Sequence, residues 1–176
     1  MKMICRVSRV MVAVFVITLF YSVEAHAQSN NQLPCRRSPE FRQFDFWIGE
    51  WNVQTPDGQW AGESKIQLIE GDCVIFENYT GRTGYSGKSF NVYNASTGKW
   101  QQFWVDNQGG VLEFEGEFKD GEMRFAGSSF GGKGNTINHR LTFFQKQEGK
   151  VRQLWQQSTD GGATWNVVFD GLYSKK

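Results

Sequence analysis

Three segments of the chain combine an amide side chain with an aromatic one two residues later. The pairs are Asn91 and Tyr93, Gln102 and Trp104, and Gln153 and Trp155. Side chains two apart on a β-strand project from the same face. A packed core avoids unpartnered amides, because each one costs about 1–3 kcal/mol. We predict that these six residues face inward around a solvent-reachable, ligand-binding cavity. If they faced outward, they would be ordinary exposed strand residues.

Glu77 is the carboxylate best placed for acid–base chemistry, because it shares a strand face with Ile75 and Tyr79. Burial on such a face raises the pKa of a carboxyl group, and glycosidases use carboxylates in pairs. Asp106 and Asp160 stand beside turns, where capping is typical. A structural Glu77 with satisfied hydrogen bonds is favoured over a catalytic one. We therefore predict Glu77 as a ligand contact near the six pocket residues and assign no catalytic residue.

His139 is the one histidine that follows residue 27. A Ser-His-Asp mechanism would need it as the base, but the sequence contains no Gly-x-Ser-x-Gly elbow. His139 shares its strand face with apolar residues, and we interpret it as a non-site residue, with haem ligation as the alternative. A Cys/His zinc site is not expected from one histidine and two cysteines. The sequence predicts no metal and no cofactor.

One turn motif has a structural meaning. Ser158 to Trp165 matches the S-x-D-x-G-x-x-W pattern of the Asp box, which sialidase-like propellers repeat in several blades and which occurs here once. In this motif the aspartate accepts hydrogen bonds from turn amides, the glycines take positive φ, and the tryptophan covers the hairpin. We interpret it as a hairpin staple without a catalytic role.

The elements that must position these residues are short β-strands. Turn signals rich in Gly, Asp and Asn recur about every ten residues from Trp51 onward. Between them apolar and polar residues alternate, as in 111–118, where Leu112 and Phe114 share one face. The alternation also places Trp165, Val167, Phe169 and Tyr173 on one face of the last strand. Nine or ten such strands predict an all-β, antiparallel up-and-down barrel, with a two-sheet sandwich as the alternative.

The N-terminal region divides into three parts. Residues 1–27 have the basic n-region, the apolar run of about 14 residues and the Ala-His-Ala site of a signal peptide, and the run is short of the ~20 residues of a membrane anchor. Residues 28–37 form a polar, loose extension. Residues 38–176 form a single domain that opens with a short helix, capped by Ser38, with Pro39 in its first turn. We expect a periplasmic or secreted protein that begins at Gln28.

Cys35 and Cys73 are the two cysteines left after residue 27. In an oxidising compartment an even pair indicates a disulfide. The bond would join residues 38 positions apart and contribute roughly 4 kcal/mol. Free thiols and half a metal site are the alternatives.

The charge balance limits the partners. Residues 1–27 hold three of the 19 Lys and Arg and one of the 18 Asp and Glu, so residues 28–176 carry a net charge of −1. A chain this close to neutral gives no electrostatic reason to expect nucleic acid as a partner. We expect a small-molecule ligand and no membrane insertion once the signal peptide is removed. The sequence does not indicate an oligomeric state.

The string Arg42 to Val53, Arg-Gln-Phe-Asp-Phe-Trp-Ile-Gly-Glu-Trp-Asn-Val, is the most distinctive in the chain. It resembles the opening of an uncharacterised bacterial family of calycin-like (lipocalin-like) β-barrels known only as a domain of unknown function. The resemblance continues through 71–77, 89–93, 100–106 and 151–173 and spans about Cys35 to Tyr173. It implies a calycin-like barrel with a Gly-x-Trp closure at Gly49 to Trp51. It implies no activity and no catalytic residues.

Three functions fit these observations. The first is a binding module for a small, partly apolar ligand. The second is a barrel enzyme (an isomerase, cyclase or hydrolase) that uses Glu77, and the third is a structural or interaction protein with a filled barrel. A large cavity reached from solvent would exclude the third. A buried carboxylate with a raised pKa inside that cavity would favour the second over the first.

Overall fold

The computed structural model describes residues 33–132 and 134–176, so the predicted signal peptide and residues 28–32 of the predicted extension lie outside the described residues. Ten antiparallel strands form a closed barrel. The strands are β1 Gly49–Gln54, β2 Trp60–Ile69, β3 Val74–Gly81, β4 Ser86–Asn94, β5 Lys99–Asp106, β6 Val111–Lys119, β7 Glu122–Phe130, β8 Thr136–Gln145, β9 Val151–Ser158 and β10 Asn166–Lys175. A helix α1 (Pro34–Arg37) and 3-10 turns at Pro39–Arg42, Asp45–Trp47 and Gln147–Gly149 complete the fold.

The barrel is the predicted up-and-down type. Each strand pairs with the next one in the sequence, and β1 closes the sheet on β10 from Trp51 opposite Lys175 to Gln54 opposite Leu172. The sandwich alternative is therefore wrong. Neighbouring antiparallel strands run in opposite directions, so the last residues of the odd-numbered strands share one end of the barrel.

Strand β6 shows how the sequence specifies the inner and outer faces. Leu112 and Phe114 point inward, and Glu113 and Glu115 beside them are exposed, as the alternation predicts. The turn to β7 contains Asp120 at φ 55° and Gly121 at φ 77°. Two consecutive left-handed residues form the turn type whose twist matches a two-residue hairpin, and Lys119 pairs with Glu122 across it.

The predicted inner face of the last strand is only partly correct. The register between β9 and β10 shifts between Val167 and Phe169, which leaves Val168 as an extra residue. A bulge of this kind reverses the side-chain alternation. Val167 is consequently 59 % exposed, whereas Phe169 is half-buried and Tyr173 is buried.

Residues 33–48, here called the N-terminal segment, close one end of the barrel, here called the closed end. The predicted short helix is two 3-10 turns, because the chain turns inward at Phe44 between them. Phe44 and Trp47 are fully buried, and each packs against Phe143 of β8, at 4.9 and 4.6 Å between ring centroids. The indole of Trp100 donates to Gln43 at 3.0 Å and anchors the segment further.

The disulfide between Cys35 and Cys73 is confirmed, with 5.0 Å between their Cα atoms. It joins α1 to the turn before β3. The prediction that residues up to Arg37 are loose is therefore wrong for Pro34–Arg37, which is helical and carries the buried Cys35. Asp72 beside the bridge forms an ion pair with Arg36.

In the part of the chain that the structure describes, no helix is long and apolar enough to cross a bilayer.

Candidate functional site

A cavity of about 300 Å³ occupies the other half of the barrel interior and reaches solvent at the end opposite the N-terminal segment, here called the open end. Val168, which is 45 % exposed, lines its mouth. Most of the wall is aromatic. Its rings include Tyr79, Tyr85, Trp104, Trp155, Phe169 and Tyr173. An apolar cavity with few polar groups is typical of small-molecule sites.

Five of the seven predicted ligand contacts line this cavity. They are Glu77, Gln102, Trp104, Gln153 and Trp155. They come from β3, β5 and β9, which place them on different parts of the wall. The prediction that these side chains face inward around a solvent-reachable cavity is confirmed for these five, and their role in binding stays a prediction.

The other two predicted contacts lie elsewhere. Asn91 is fully buried within the polar part of the wall and does not line the cavity. Tyr93 packs against Phe41 and Trp100, at 5.2 and 6.0 Å between ring centroids. Strand β4 runs towards the closed end, so Tyr93 lies about 7 Å farther along the strand in that direction than Asn91. Tyr93 thus contacts the N-terminal segment, and its assignment to the pocket was wrong.

Polar side chains connect four strands across one side of the barrel interior. Gln102 Nε2 donates to Asn91 Oδ1 at 2.7 Å, and Asn91 Nδ2 donates to Ser89 Oγ at 2.9 Å. The hydroxyls of Ser89 and Ser64 donate to the two carboxylate oxygens of Glu77 at 3.0 and 2.9 Å. We call these five residues the polar ladder. Its members satisfy one another, which makes burial of so many polar groups tolerable.

Glu77 is buried at the cavity wall, and this burial raises its pKa from the usual 4.5 to about 7. Desolvation is the largest cause, since it disfavours the charged form. The hydrogen bonds from Ser64 and Ser89 stabilise the carboxylate and act in the opposite direction. Glu77 therefore changes charge near neutral pH.

This raised pKa predicts a pH-dependent stability. The folded pKa of Glu77, about 7, lies above the ordinary 4.5, so its contribution is fully present below about pH 4.5 and is lost as the pH rises through about 7. The loss is on the order of 3 kcal/mol in the free energy of unfolding. We expect Glu77→Gln to lack this loss. Urea unfolding across the pH range measures it, with exposed Glu115→Gln as the control. Parallel pH profiles for wild type and Glu77→Gln would contradict the assignment.

Gln153 is a further polar group on the cavity wall. The hydroxyl of Tyr173 donates to Gln153 Oε1. This bond orients the amide, and its nitrogen has no partner among residues 33–132 and 134–176. A donor of this kind is available to a ligand.

The mouth of the cavity depends on a close packing of Trp104 against β4. A Cβ atom added at Gly87 would lie 2.2 Å from Cζ2 of Trp104 and 2.6 Å from the carbonyl oxygen of Val105. Glycine is thus required for the indole to lie against this strand. Nearby, the Tyr85 hydroxyl donates to Asp106 at 2.9 Å.

His139 lies behind Trp155 and does not line the cavity. The indole nitrogen of Trp155 donates to His139 Nδ1 at 3.2 Å, which leaves Nε2 to donate to Ser129 Oγ at 2.7 Å. Desolvation lowers the pKa of His139, so the ring is neutral at physiological pH. Both ring nitrogens are hydrogen-bonded, Nδ1 to Trp155 and Nε2 to Ser129, which agrees with the interpretation of His139 as a non-site residue.

The Asp box has the geometry of a staple. Asp160 accepts hydrogen bonds from the backbone N–H and hydroxyl of Thr164 at 2.9 and 2.6 Å, and these bonds lower its pKa. Gly161 and Gly162 have φ values of 73° and 96°. Trp165 donates to the carbonyl of Gly162 at 3.0 Å. The motif fixes the turn between β9 and β10.

The chain matches no protein-family model and no curated protein. Within the described residues, no group of three or more His, Cys, Asp or Glu side chains is arranged to hold a metal ion.

Sequence reasoning missed three polar residues of the site, namely Ser64, Ser89 and Tyr85. Ser64 and Ser89 share the inner faces of β2 and β4 with Ile66 and Asn91. A small hydroxyl at alternate positions beside apolar or amide residues was the available signal. That these hydroxyls meet on Glu77 depends on strand register, which local patterns do not provide.

Proposed function

We propose that this protein binds a small, mostly apolar molecule that carries a polar group. The cavity supports this function: it is open to solvent, its walls are aromatic, and Glu77, Gln102 and Gln153 form its few polar points. A barrel with a purely structural role would fill its interior, as this one does at the closed end. The unfilled half disfavours the third hypothesis.

We propose further that the protein is exported and belongs among the calycin-like barrels. The disulfide is compatible with an oxidising compartment, and residues 1–27 have the pattern of a signal peptide. The closed barrel and the position of Gly49 to Trp51 at the start of β1 fit the resemblance to that family. N-terminal sequencing of the protein from its native host should begin at Gln28.

A second candidate is an enzyme that uses Glu77 as its acid or base. Glu77 is a buried carboxyl group on the cavity wall with a raised pKa. A carboxyl with a pKa of about 7 both accepts and donates protons near neutral pH. Its lining neighbours Tyr79 and Tyr173 have raised pKa values and stay protonated. Chemistry with a single proton carrier, such as isomerisation, fits this site better than hydrolysis by paired carboxylates. The raised pKa of Glu77 favours the enzyme over a purely binding role, but an enzyme would also have to bind its substrate in this cavity, so binding is the function that both hypotheses share.

The test of binding is a fluorescence screen of small apolar compounds, because the cavity wall contains Trp104 and Trp155. Trp104→Ala should weaken binding about tenfold or more, as it removes a large part of the wall. Gln153→Ala should weaken it by a smaller factor, on the order of fivefold, since it removes one hydrogen bond.

Matched controls come from the outer face. Phe103 is the neighbour of Trp104 on β5 but is 41 % exposed on the outside, and Gln67 is an exposed outer glutamine of β2. Phe103→Ala and Gln67→Ala should bind normally. Equal affinities in all four variants, or no binding by any compound, would contradict the proposal. Product formation from a bound compound that is lost in Glu77→Gln would favour the enzyme.

A further inference from the structure

The cavity has an uneven charge distribution. Among the residues that the structure describes, Glu77 carries the one carboxyl group on the cavity wall, and no Lys, Arg or His side chain lines the cavity. The other titratable lining groups are the tyrosines at 79, 85 and 173, whose hydroxyls are neutral at physiological pH. An ionised Glu77 would therefore be a buried charge without a counter-ion on the cavity wall.

The aromatic rings of the cavity wall, like the carboxylate of Glu77, favour a cation. The face of an aromatic ring carries the negative end of its quadrupole and attracts cations. Trp104, Trp155, Phe169 and the lining tyrosines surround the space next to Glu77. At the mouth, Asp106 adds a carboxylate beside Tyr85, and hydrogen bonds from Gly110 and Gln108 outweigh desolvation and lower its pKa. The carboxyl groups of Glu77 and Asp106 and the faces of the aromatic rings thus favour a positive guest over a negative one.

The groups that face Glu77 come from each strand packed against it. Ser64 on β2 and Ser89 on β4 donate hydrogen bonds to it. Burial raises the pKa values of Tyr79 on β3 and Tyr173 on β10, and the charge of Glu77 raises both further. None of these side chains is cationic, so a positive charge next to Glu77 has to come from the ligand.

We propose that the ligand is a small organic cation, an amine whose ammonium group pairs with Glu77 while its apolar part packs against the aromatic rings of the cavity. This inference rests on the proposed binding function and names the class of its ligand. A buried carboxylate gains most from a partner that both neutralises its charge and donates hydrogen bonds to it. A primary ammonium group provides both.

A consequence is that binding releases protons. In the empty cavity Glu77 is about half protonated near pH 7. An ammonium ion stabilises the carboxylate form and lowers its pKa. Amine binding should therefore release about half a proton per site at about pH 7. The affinity for an amine should also rise at least about tenfold between about pH 5.5 and about pH 8.5.

Three probes of one shape test the proposal by isothermal titration calorimetry. They are 2-phenylethylamine, 2-phenylethanol and 3-phenylpropanoate, which present an ammonium, a hydroxyl and a carboxylate on the same frame. We expect the amine to bind about tenfold more tightly than the alcohol at about pH 8, and the carboxylate to bind most weakly. Titrations in buffers of different ionisation enthalpy measure the released protons.

Glu77→Gln is the decisive variant, because glutamine keeps the shape of the side chain and can still accept from Ser64 or Ser89. In this variant the amine should lose its advantage over the alcohol, and its affinity should no longer depend on pH. The exposed Glu115→Gln should behave as the wild type with all three probes.

The outcomes separate this inference from the proposed function. Equal binding of amine and alcohol, or preference for the carboxylate, would overturn the amine assignment and leave the binding function intact. Tight amine binding that Glu77→Gln does not weaken would overturn the role of Glu77. Binding of none of the probes, together with a negative compound screen, would overturn both proposals.

Discussion

Trp47→Ala is expected to lower the free energy of unfolding by about 3–5 kcal/mol. Trp47 is fully buried at the closed end of the barrel. Its ring stacks on Phe44 at 5.0 Å and contacts Phe143 at 4.6 Å between ring centroids. Its backbone carbonyl also accepts a hydrogen bond from the indole of Trp51 at 2.9 Å. Removal of the indole leaves a cavity that the rigid barrel wall cannot fill.

The matched variant is Trp47→Phe, which keeps an aromatic ring at the closed end of the barrel. The indole nitrogen of Trp47 is buried and has no hydrogen-bond partner among the described residues. Its loss relieves a desolvated donor, so Trp47→Phe should cost clearly less than Trp47→Ala. Urea unfolding followed by circular dichroism measures both. A loss below about 1 kcal/mol for Trp47→Ala would show that the N-terminal segment does not support the barrel.

The barrel itself was predictable because its information is local. Turn residues recur at short intervals, and apolar side chains alternate with charged ones on strands such as β6. In a meander each strand pairs with its sequence neighbour, so the order of the strands follows from the chain. Closure of the sheet was the step that alternation could not decide.

The wrong predictions concern features that depend on the assembled three-dimensional structure and not on the local sequence pattern. Tyr93 is on the inner face, as its spacing from Asn91 requires, but spacing does not say how far along the barrel axis a residue lies. Val167 was misplaced because one extra residue at a bulge reverses all the alternation before it. The N-terminal segment forms tight turns where a helix was predicted, because burial of Phe44 and Trp47 outweighs local propensity.

The candidate site was predictable in part for a different reason. Gln102 and Gln153 were recognised because amides on an apolar face contradict the expectation for a core. The polar ladder around Glu77 needs the register of four strands, with Glu77 opposite Ser89 and Asn91 opposite Gln102. These pairings arise only when the sheet is assembled.

Replacement of both Cys35 and Cys73 by serine is expected to lower the free energy of unfolding by about 4 kcal/mol. The bond closes a loop between residues 38 positions apart, and its loss restores that conformational freedom to the unfolded chain. In the folded state the bond holds α1 against the turn before β3, next to the ion pair of Arg36 with Asp72. The residues that follow α1 include Phe44 and Trp47, so the bond also supports the closed end of the barrel.

Reductant provides the control for this prediction. Wild type unfolded in urea with dithiothreitol should match the double serine variant, and the double variant should not respond to dithiothreitol. Probe binding to the folded double variant should stay unchanged, because the cavity opens at the far end from the disulfide. Identical unfolding curves for oxidised wild type and the double variant would contradict the prediction. They would show that packing of the aromatic side chains at the closed end is sufficient to hold the N-terminal segment in place.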